Sequence, residues 1–196
     1  MTGGGDFMAY DRTDFDVFWR EWIEANRRAQ DTGDWTMLAD FYAPQATYGW
    51  SYSATDHFMA DGRAEIRDLA LGTEMLGFQG WVYPYQAVLF DDTTGQAFGL
   101  WRQLSTFPTP RGGRYEVQGL GGSWFQYSGE RSWAWQRDIF DVGLATAAML
   151  DIVQDGNNSP QLDERIAAIT SGRQPGHYPS WETMSAPLWP MPPVLD

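Results

Sequence analysis

Residues 131–141, RSWAWQRDIFD, alternate with period two, placing Trp133, Trp135, Arg137, Ile139 and Asp141 on one face of a strand and Ala134, Gln136, Asp138 and Phe140 on the other. Whichever face is buried takes an aspartate with it, and a buried carboxylate is costly unless it is paired or hydrogen-bonded. Helical spacing governs the N-terminal part. Phe15, Phe18, Trp19, Trp22, Ile23 and Asn26 recur three and four residues apart after a Thr13 cap, predicting an amphipathic helix of about 17 residues. Gly33 can end it in a left-handed turn, and Asp34 can cap a short second helix, WTMLADFY. ATYGWSYS at 46–53 alternates as a strand, and after the turn-like Asp61-Gly62 the positions Ile66, Leu69, Ala70, Thr73 and Leu76 mark a third helix closed by Gly77.

Three further extended segments, 80–90, 95–107 and 114–127, precede RSWAWQRDIFD, and the linkers DDTTG, PTPRGG and SGER have the turn chemistry of an antiparallel meander. Pro84 marks an edge or a bulge. Gly119, Gly121 and Gly122 would weaken an ordinary strand and point to strong bending or the close approach of another backbone. Residues 142–153 read as a helix, and Ser159-Pro160 opens another, with Leu162, Ile166 and Ile169 on one face. The proline-rich end, APLWPMPPVLD, is structureless by default, yet Trp181, Leu188 and Trp189 suit an apolar groove, on this chain or on a neighbouring subunit.

Composition narrows the chemistry. The chain has 196 residues and a formal charge of −13, and all 13 basic residues are arginine. Such a balance disfavours phosphate backbones and anionic lipid. Without lysine there is no Schiff base and no P-loop lysine; without cysteine there is no thiol nucleophile or thiolate metal site. His57 and His177 stand far apart, so no clustered-histidine metal motif exists, and no metal or cofactor is expected. No apolar run approaches the length of a membrane helix, and the start MTGGGDFMAYDRTD lacks a basic-then-apolar leader, so the reading is a cytoplasmic protein that binds neither nucleic acid nor membrane. Asn157-Asn158-Ser159 matches a glycosylation acceptor and reads as a loop. With 11 Trp, 9 Tyr and 11 Phe, the aromatic load suggests an aromatic-lined cavity as well as a packed core.

Helices followed by a long curved sheet form an α+β arrangement. NRRAQDTGDWTMLADFYAPQATYGW resembles the segment of NTF2-like, SnoaL-like proteins in which helix one ends at Gly-Asp, helix two carries Leu-x-x-x-Tyr/Phe and Ala-Thr opens the first strand. DGRAEIRDL is similar to their Gly-Arg-x-x-Ile start of helix three, and SWAWQRDIFD to their terminal strand. The resemblance covers residues 10 to 145 and implies a cone whose curved antiparallel sheet wraps around three N-terminal helices. The expected division is residues 1–155 for this domain and 156–196 for a helical, proline-rich extension. Relatives include ketosteroid isomerases, scytalone dehydratase, limonene epoxide hydrolase, polyketide cyclases and non-catalytic binders, which all use the hollow of the cone; the fold therefore does not choose among them. A homodimer is also implied.

Carried over residue by residue, the ketosteroid isomerase base falls on Trp50, its helix-one tyrosine on Asn26 and its oxyanion aspartate near Ser123, none of which can do that work unchanged. The polyketide cyclase pattern, an acid/base aspartate near the end of the last strand, is met by Asp138 or by Asp141. The Asp-Arg-Asp set of the epoxide hydrolase finds its residue types in Arg102, Arg137, Asp138 and Asp141, without the matching spacing. The resulting expectation is a cavity for a small apolar, polyketide-, terpenoid- or steroid-like molecule, with acid/base chemistry of the lyase, isomerase or cyclase kind; the alternatives are a non-catalytic binding module or a dimerisation domain. Candidate catalytic residues are Asp138, Asp141 and His57. Asn26, Trp50, Tyr48, Tyr83, Tyr85, Arg102, Gln118 and Arg137 are the candidate ligand contacts, with Gln103 a further donor. Glu74 reads as a solvated residue with some reach toward the cavity rim.

Overall fold

A computed structural model describes residues 10–191. The leader expectation falls largely on residues 1–9, outside the described residues. Helix α1 (Arg12–Thr32) starts at Asp11, whose side chain accepts from the amides of Thr13 and Asp14, and ends at Gly33 with φ 70°, the left-handed turn its sequence predicts. A 3-10 turn (Thr36–Phe41) takes the place of the expected second helix, with Asp34 accepting from the Thr36 amide at 3.0 Å. Strands β1 (Tyr42–Ser51) and β2 (Asp56–Asp61) follow. Helix α2 begins as an α-turn at Arg63–Glu65 and widens into a π-helix over Ile66–Thr73.

Strands β3 (Trp81–Val82) and β4 (Tyr85–Asp91) are separated at Pro84, and β5 (Gln96–Pro108), β6 (Arg114–Tyr127) and β7 (Trp133–Ile139) form the meander. Helices α3 (Val142–Gln154) and α4 (Pro160–Ser171) precede a short strand, β8 (His177–Pro179). The sheet runs β3-β5-β6-β7-β1-β2-β8, with β4 also on β5. All pairings are antiparallel except β1 with β7. The result is a curved α+β cone with α1 laid along its concave side.

Strand β2 is absent from the periodicity because Phe58, Met59 and Ala60 are all fully buried. Covered on both faces, the strand loses its alternation. Aromatic packing closes the narrow end of the cone: Phe15 stacks on Phe90 at 3.7 Å, Phe18 meets Trp133 at 4.7 Å and Phe125 stacks on Trp133 at 4.3 Å. Truncating one such ring to alanine typically costs about 3–5 kcal/mol. The second half of α1, from Trp22 to Asn26, faces an open cavity instead.

Within the described residues, the proline-rich segment contacts its own chain through Pro187, Leu188 and Trp189. The guanidinium of Arg137 donates to the carbonyls of Pro187 and Leu188, and Trp189 packs on Trp124 across the convex face. Among the described residues no helix is long and apolar enough to cross a membrane.

Candidate functional site

One transverse row of the sheet organises the cavity. Cross-strand pairing sets Gly99, Ser123, Asp138, Trp50, Phe58 and His177 side by side on successive strands, hence on one face. That face is concave and lines a cavity of about 330 Å³, within the usual size of small-molecule sites. Gly99 leaves room for Tyr85, since a Cβ there would stand 2.5 Å from the Tyr85 ring. Gly121 does the same for Trp101, whose ring fills the missing Cβ position and whose indole then reaches Ser123. The close approach expected at these glycines is made by side chains rather than by another backbone: Trp101 at Gly121, Phe98 at Gly122 and Asp141 at Gly119.

Parity along β7 breaks at its start. The register shifts between the Trp133 and Trp135 pairings, so Trp133 packs inward with Trp22 and Phe125, and Gln136 and Asp138 also face the cavity. Asp138 is partly accessible and lines the cavity. Its carboxylate accepts from Tyr48 Oη at 2.5 Å, Ser123 Oγ at 2.6 Å and Gln136 Nε2 at 2.8 Å.

Each donor is aimed by another group or by its strand. Trp101 Nε1 donates to Ser123 Oγ at 2.9 Å, leaving the serine proton for Asp138. The Tyr42 hydroxyl donates to Gln136 Oε1, turning the amide nitrogen toward Asp138. Burial raises the Asp138 carboxyl above the usual carboxylate range, and the bonds from Gln136, Ser123 and Tyr48 pull it back only in part.

Two phenols face the cavity with their protons unspent among the described residues. Tyr83 accepts from Gln103 Nε2 at 3.2 Å, and Tyr85 accepts from Trp22 Nε1 at 3.2 Å. Burial pushes both phenols far above their ordinary range, so they remain neutral donors. Asn26, also on the wall, donates to the Trp22 carbonyl at 2.8 Å.

A second polar group stands at the other end of the row. His177 Nδ1 lies 3.0 Å from Asp56 Oδ2 and its Nε2 lies 3.1 Å from Glu74 Oε1. Arg165 Nη2 donates to Glu74 Oε2 at 2.7 Å and to Tyr52 Oη at 3.3 Å. Burial alone would lower His177, but its bonds to Glu74 and Asp56 outweigh that and raise it. Burial alone would raise Glu74, but its bond to His177 and the charge of Arg165 hold it below its ordinary value. Glu74 is thus buried and paired, contrary to its reading as solvated: the π-helical turn, with Glu74 N donating to Leu69 O at 2.8 Å, carries it to the cavity wall. Sequence reasoning missed His177 and Arg165 as well. The one available signal was an arginine between Leu162, Ile166 and Ile169 on the apolar side of α4.

Several candidates stand apart from the cavity. Asp141 is exposed and caps α3, accepting from the Leu144 amide at 2.9 Å. His57 is on β2 rather than in a loop, paired with Ser51 and Tyr178, and alternation turns it away from the face of Phe58. Arg102 pairs with Glu116 at 2.6 Å on the opposite face. Gln118 is exposed on β6. Arg137 points outward, to Thr47 and the C-terminal segment, and burial lowers it to about 10. Asn26, Tyr48, Trp50, Tyr83, Tyr85 and Gln103 are brought together on the wall around Asp138.

No protein-family model and no curated protein sequence matches the chain. Among solved structures, an NTF2-like protein from Anabaena variabilis superposes with a TM-score of 0.50 at 13% identity, over 68% of this chain and 94% of its own. A candidate polyketide cyclase from Xanthomonas campestris gives 0.47 at 14% identity, over 67% and 96%. A phenazine biosynthesis-related protein from Pseudomonas aeruginosa gives 0.46 at 13% identity, over 66% and 90%. The chain has the NTF2-like fold, an α+β cone with an unclosed, curved sheet.

Proposed function

On this NTF2-like cone, we propose that the cavity binds a small apolar, ring-built molecule, polyketide-, terpenoid- or steroid-like, and that Asp138 exchanges a proton with it in a cofactor-independent lyase, isomerase or cyclase reaction. One observation carries the reading: three donors, two of them aimed by further hydrogen bonds, converge on a carboxylate in an aromatic cavity. The donors fix the position of the group, and burial raises its proton affinity above that of an ordinary carboxylate, the direction that general acid/base work requires.

The chemistry follows from the wall. Asp138 takes a proton from a carbon beside a carbonyl; the C–H bond breaks, an O–H bond forms on the carboxylate, and the electron pair moves to the carbonyl oxygen. Tyr83 or Tyr85, each with a free proton, hydrogen-bonds that oxygen as its charge develops. Returning the proton to another carbon isomerises the ligand. Attack of the carbanion on a second carbonyl closes a ring, the second oxygen taking the proton back from Asp138; alternatively, a group on the β-carbon leaves with its electron pair and that same proton, giving a double bond.

A binding module without turnover is the second reading, favoured by the same three bonds, which already satisfy much of the carboxylate. Deuterium exchange at the α-carbon of bound 1-tetralone, followed by NMR, separates the two. The acid/base reading expects catalysed exchange that falls about 100-fold or more in Asp138→Asn. Binding with no exchange above background in the wild type leaves the module. A homodimeric, cytoplasmic protein is part of the proposal, and size-exclusion chromatography with light scattering tests the dimer.

A further inference from the structure

We propose that Tyr52 is a second recognition point of the cavity, donating a hydrogen bond to a neutral oxygen at the end of the ligand remote from Asp138. The ligand class is accordingly an elongated, ring-built molecule with an oxygen acceptor at each end. This rests on the reading that the cavity takes an apolar ring molecule.

Tyr52 stands just past the end of β1, and its side chain lines the cavity together with that of Trp50. His177, against which the Tyr52 ring packs edge-on at 4.6 Å, is three strands along the row from Asp138, about 14 Å at ordinary strand spacing. Trp50, stacked on Phe58 at 4.2 Å, forms the apolar floor between these ends. A flat molecule of three or four fused rings spans that distance.

The direction of the Tyr52 proton is set by its neighbour. Arg165 Nη2 donates to the phenol oxygen, so the hydroxyl proton must point elsewhere, and no acceptor among the described residues takes it. Burial is the largest influence on this phenol and raises it above its ordinary value, which keeps the donor neutral. The charge of the incoming group is also constrained. Arg165 is paired with Glu74, and His177 lies between Glu74 and Asp56, so this end holds no unpaired guanidinium to recruit a carboxylate and no unpartnered carboxylate to recruit an ammonium group. A carbonyl or ether oxygen fits.

Arg165 and His177 both belong to the chain beyond β7, on α4 and β8. This end of the cavity is therefore completed by the C-terminal part, which sets Arg165 and His177 against Tyr52, Asp56 and Glu74, whereas the Asp138 end is built by the central sheet. The two ends can differ in origin and still act on one ligand, because both open onto the same cavity.

Equilibrium dialysis with two probes tests the proposal: 1,2,3,4-tetrahydrophenanthren-1-one and its 7-methoxy derivative, which adds a distal acceptor without a donor. The expected result is that the wild type binds the methoxy compound about tenfold more tightly, and that Tyr52→Phe, which keeps the ring against His177, brings the ratio near one. Equal affinities in the wild type, or a preference that survives in Tyr52→Phe, overturn the proposal while leaving the apolar cavity standing. If neither probe binds the wild type, the cavity reading fails and the proposal goes with it.

Discussion

The Tyr42 hydroxyl donates to the side-chain carbonyl of Gln136, and that bond decides which end of the amide meets Asp138. An amide has a donor end and an acceptor end, so fixing one fixes the other. Tyr42 thereby acts on the Asp138 carboxyl through Gln136, although the register of β1 sets it opposite Trp133.

Replacing Tyr42 by phenylalanine should therefore move a titration as well as stability. Gln136 becomes free to turn its oxygen toward Asp138, which removes one of the bonds that hold the carboxyl down, so the Asp138 titration moves upward. The unmet amide oxygen costs about 1–3 kcal/mol of stability. Carbon-13 NMR of labelled aspartate in wild type and Tyr42→Phe reads the shift; an unchanged or lowered titration contradicts the relay.

The cluster at the other end predicts a pH window. His177 is raised in the folded state, so its contribution to stability is fully present below its ordinary 6.5 and is lost as pH rises through the folded value. Glu74 is lowered, so its contribution is present above its ordinary 4.5 and is lost as pH falls through the folded value. The difference in Tm between wild type and His177→Gln should be largest between these limits and shrink as pH rises past 6.5. A difference that grows from pH 7 to pH 9 would contradict a cationic His177.

Arg165 holds α4, a helix in which only Leu162 is buried. Breaking a buried ion pair from one side typically costs about 3–5 kcal/mol. Arg165→Met should lose stability on this scale or, if α4 detaches without global unfolding, show the loss as faster amide exchange in residues 160–171. Unchanged exchange there, with unchanged stability, contradicts the tether.

Asp141→Ala separates a cap from a catalyst. Removing the side-chain bond to Leu144 should cost about 1 kcal/mol, read in a urea melt. Proton exchange into a bound ketone should continue, in contrast to the fall of about 100-fold or more expected in Asp138→Asn. Loss of exchange in Asp141→Ala at full occupancy would return Asp141 to the candidates.

Gly99→Ala probes the wall. The new methyl would stand 2.5 Å from the Tyr85 ring and 2.9 Å from Trp19, forcing the phenol to move at a strain cost of about 1–3 kcal/mol. Ligand affinity should fall while Tyr42→Phe affinity for the same ketone stays close to wild type, a contrast that equilibrium dialysis checks. Equal losses in the two variants would mean that Tyr85 does not form the wall.

Much of this fold is legible in the sequence. The three-and-four spacing of Phe15, Phe18, Trp22 and Asn26 defines α1 and its buried stripe, and Gly33 takes the left-handed turn expected of it. The meander follows from its turns, and β7 from its alternation. Strand β2 was not legible, because full burial of both faces removes the alternating signal. Strand β8, three residues among prolines, exists by virtue of its pairing with β2.

The sequence by itself determined that β7 carries Asp138 and Asp141 at positions of opposite parity, because strand geometry is local. It could not say which face is inside, because that depends on where β1 and β6 lie, and a register shift after Trp133 uncouples that residue from its period-two neighbours. Nor could it bring Glu74 to His177, 103 positions apart, or set Arg165 against both Glu74 and Tyr52. Those placements arise from strand pairing and the path of the chain beyond the sheet. Only the folded chain, by setting side chains from distant segments on one concave row, decides which carboxylate is buried, what donates to it, and which charges are matched.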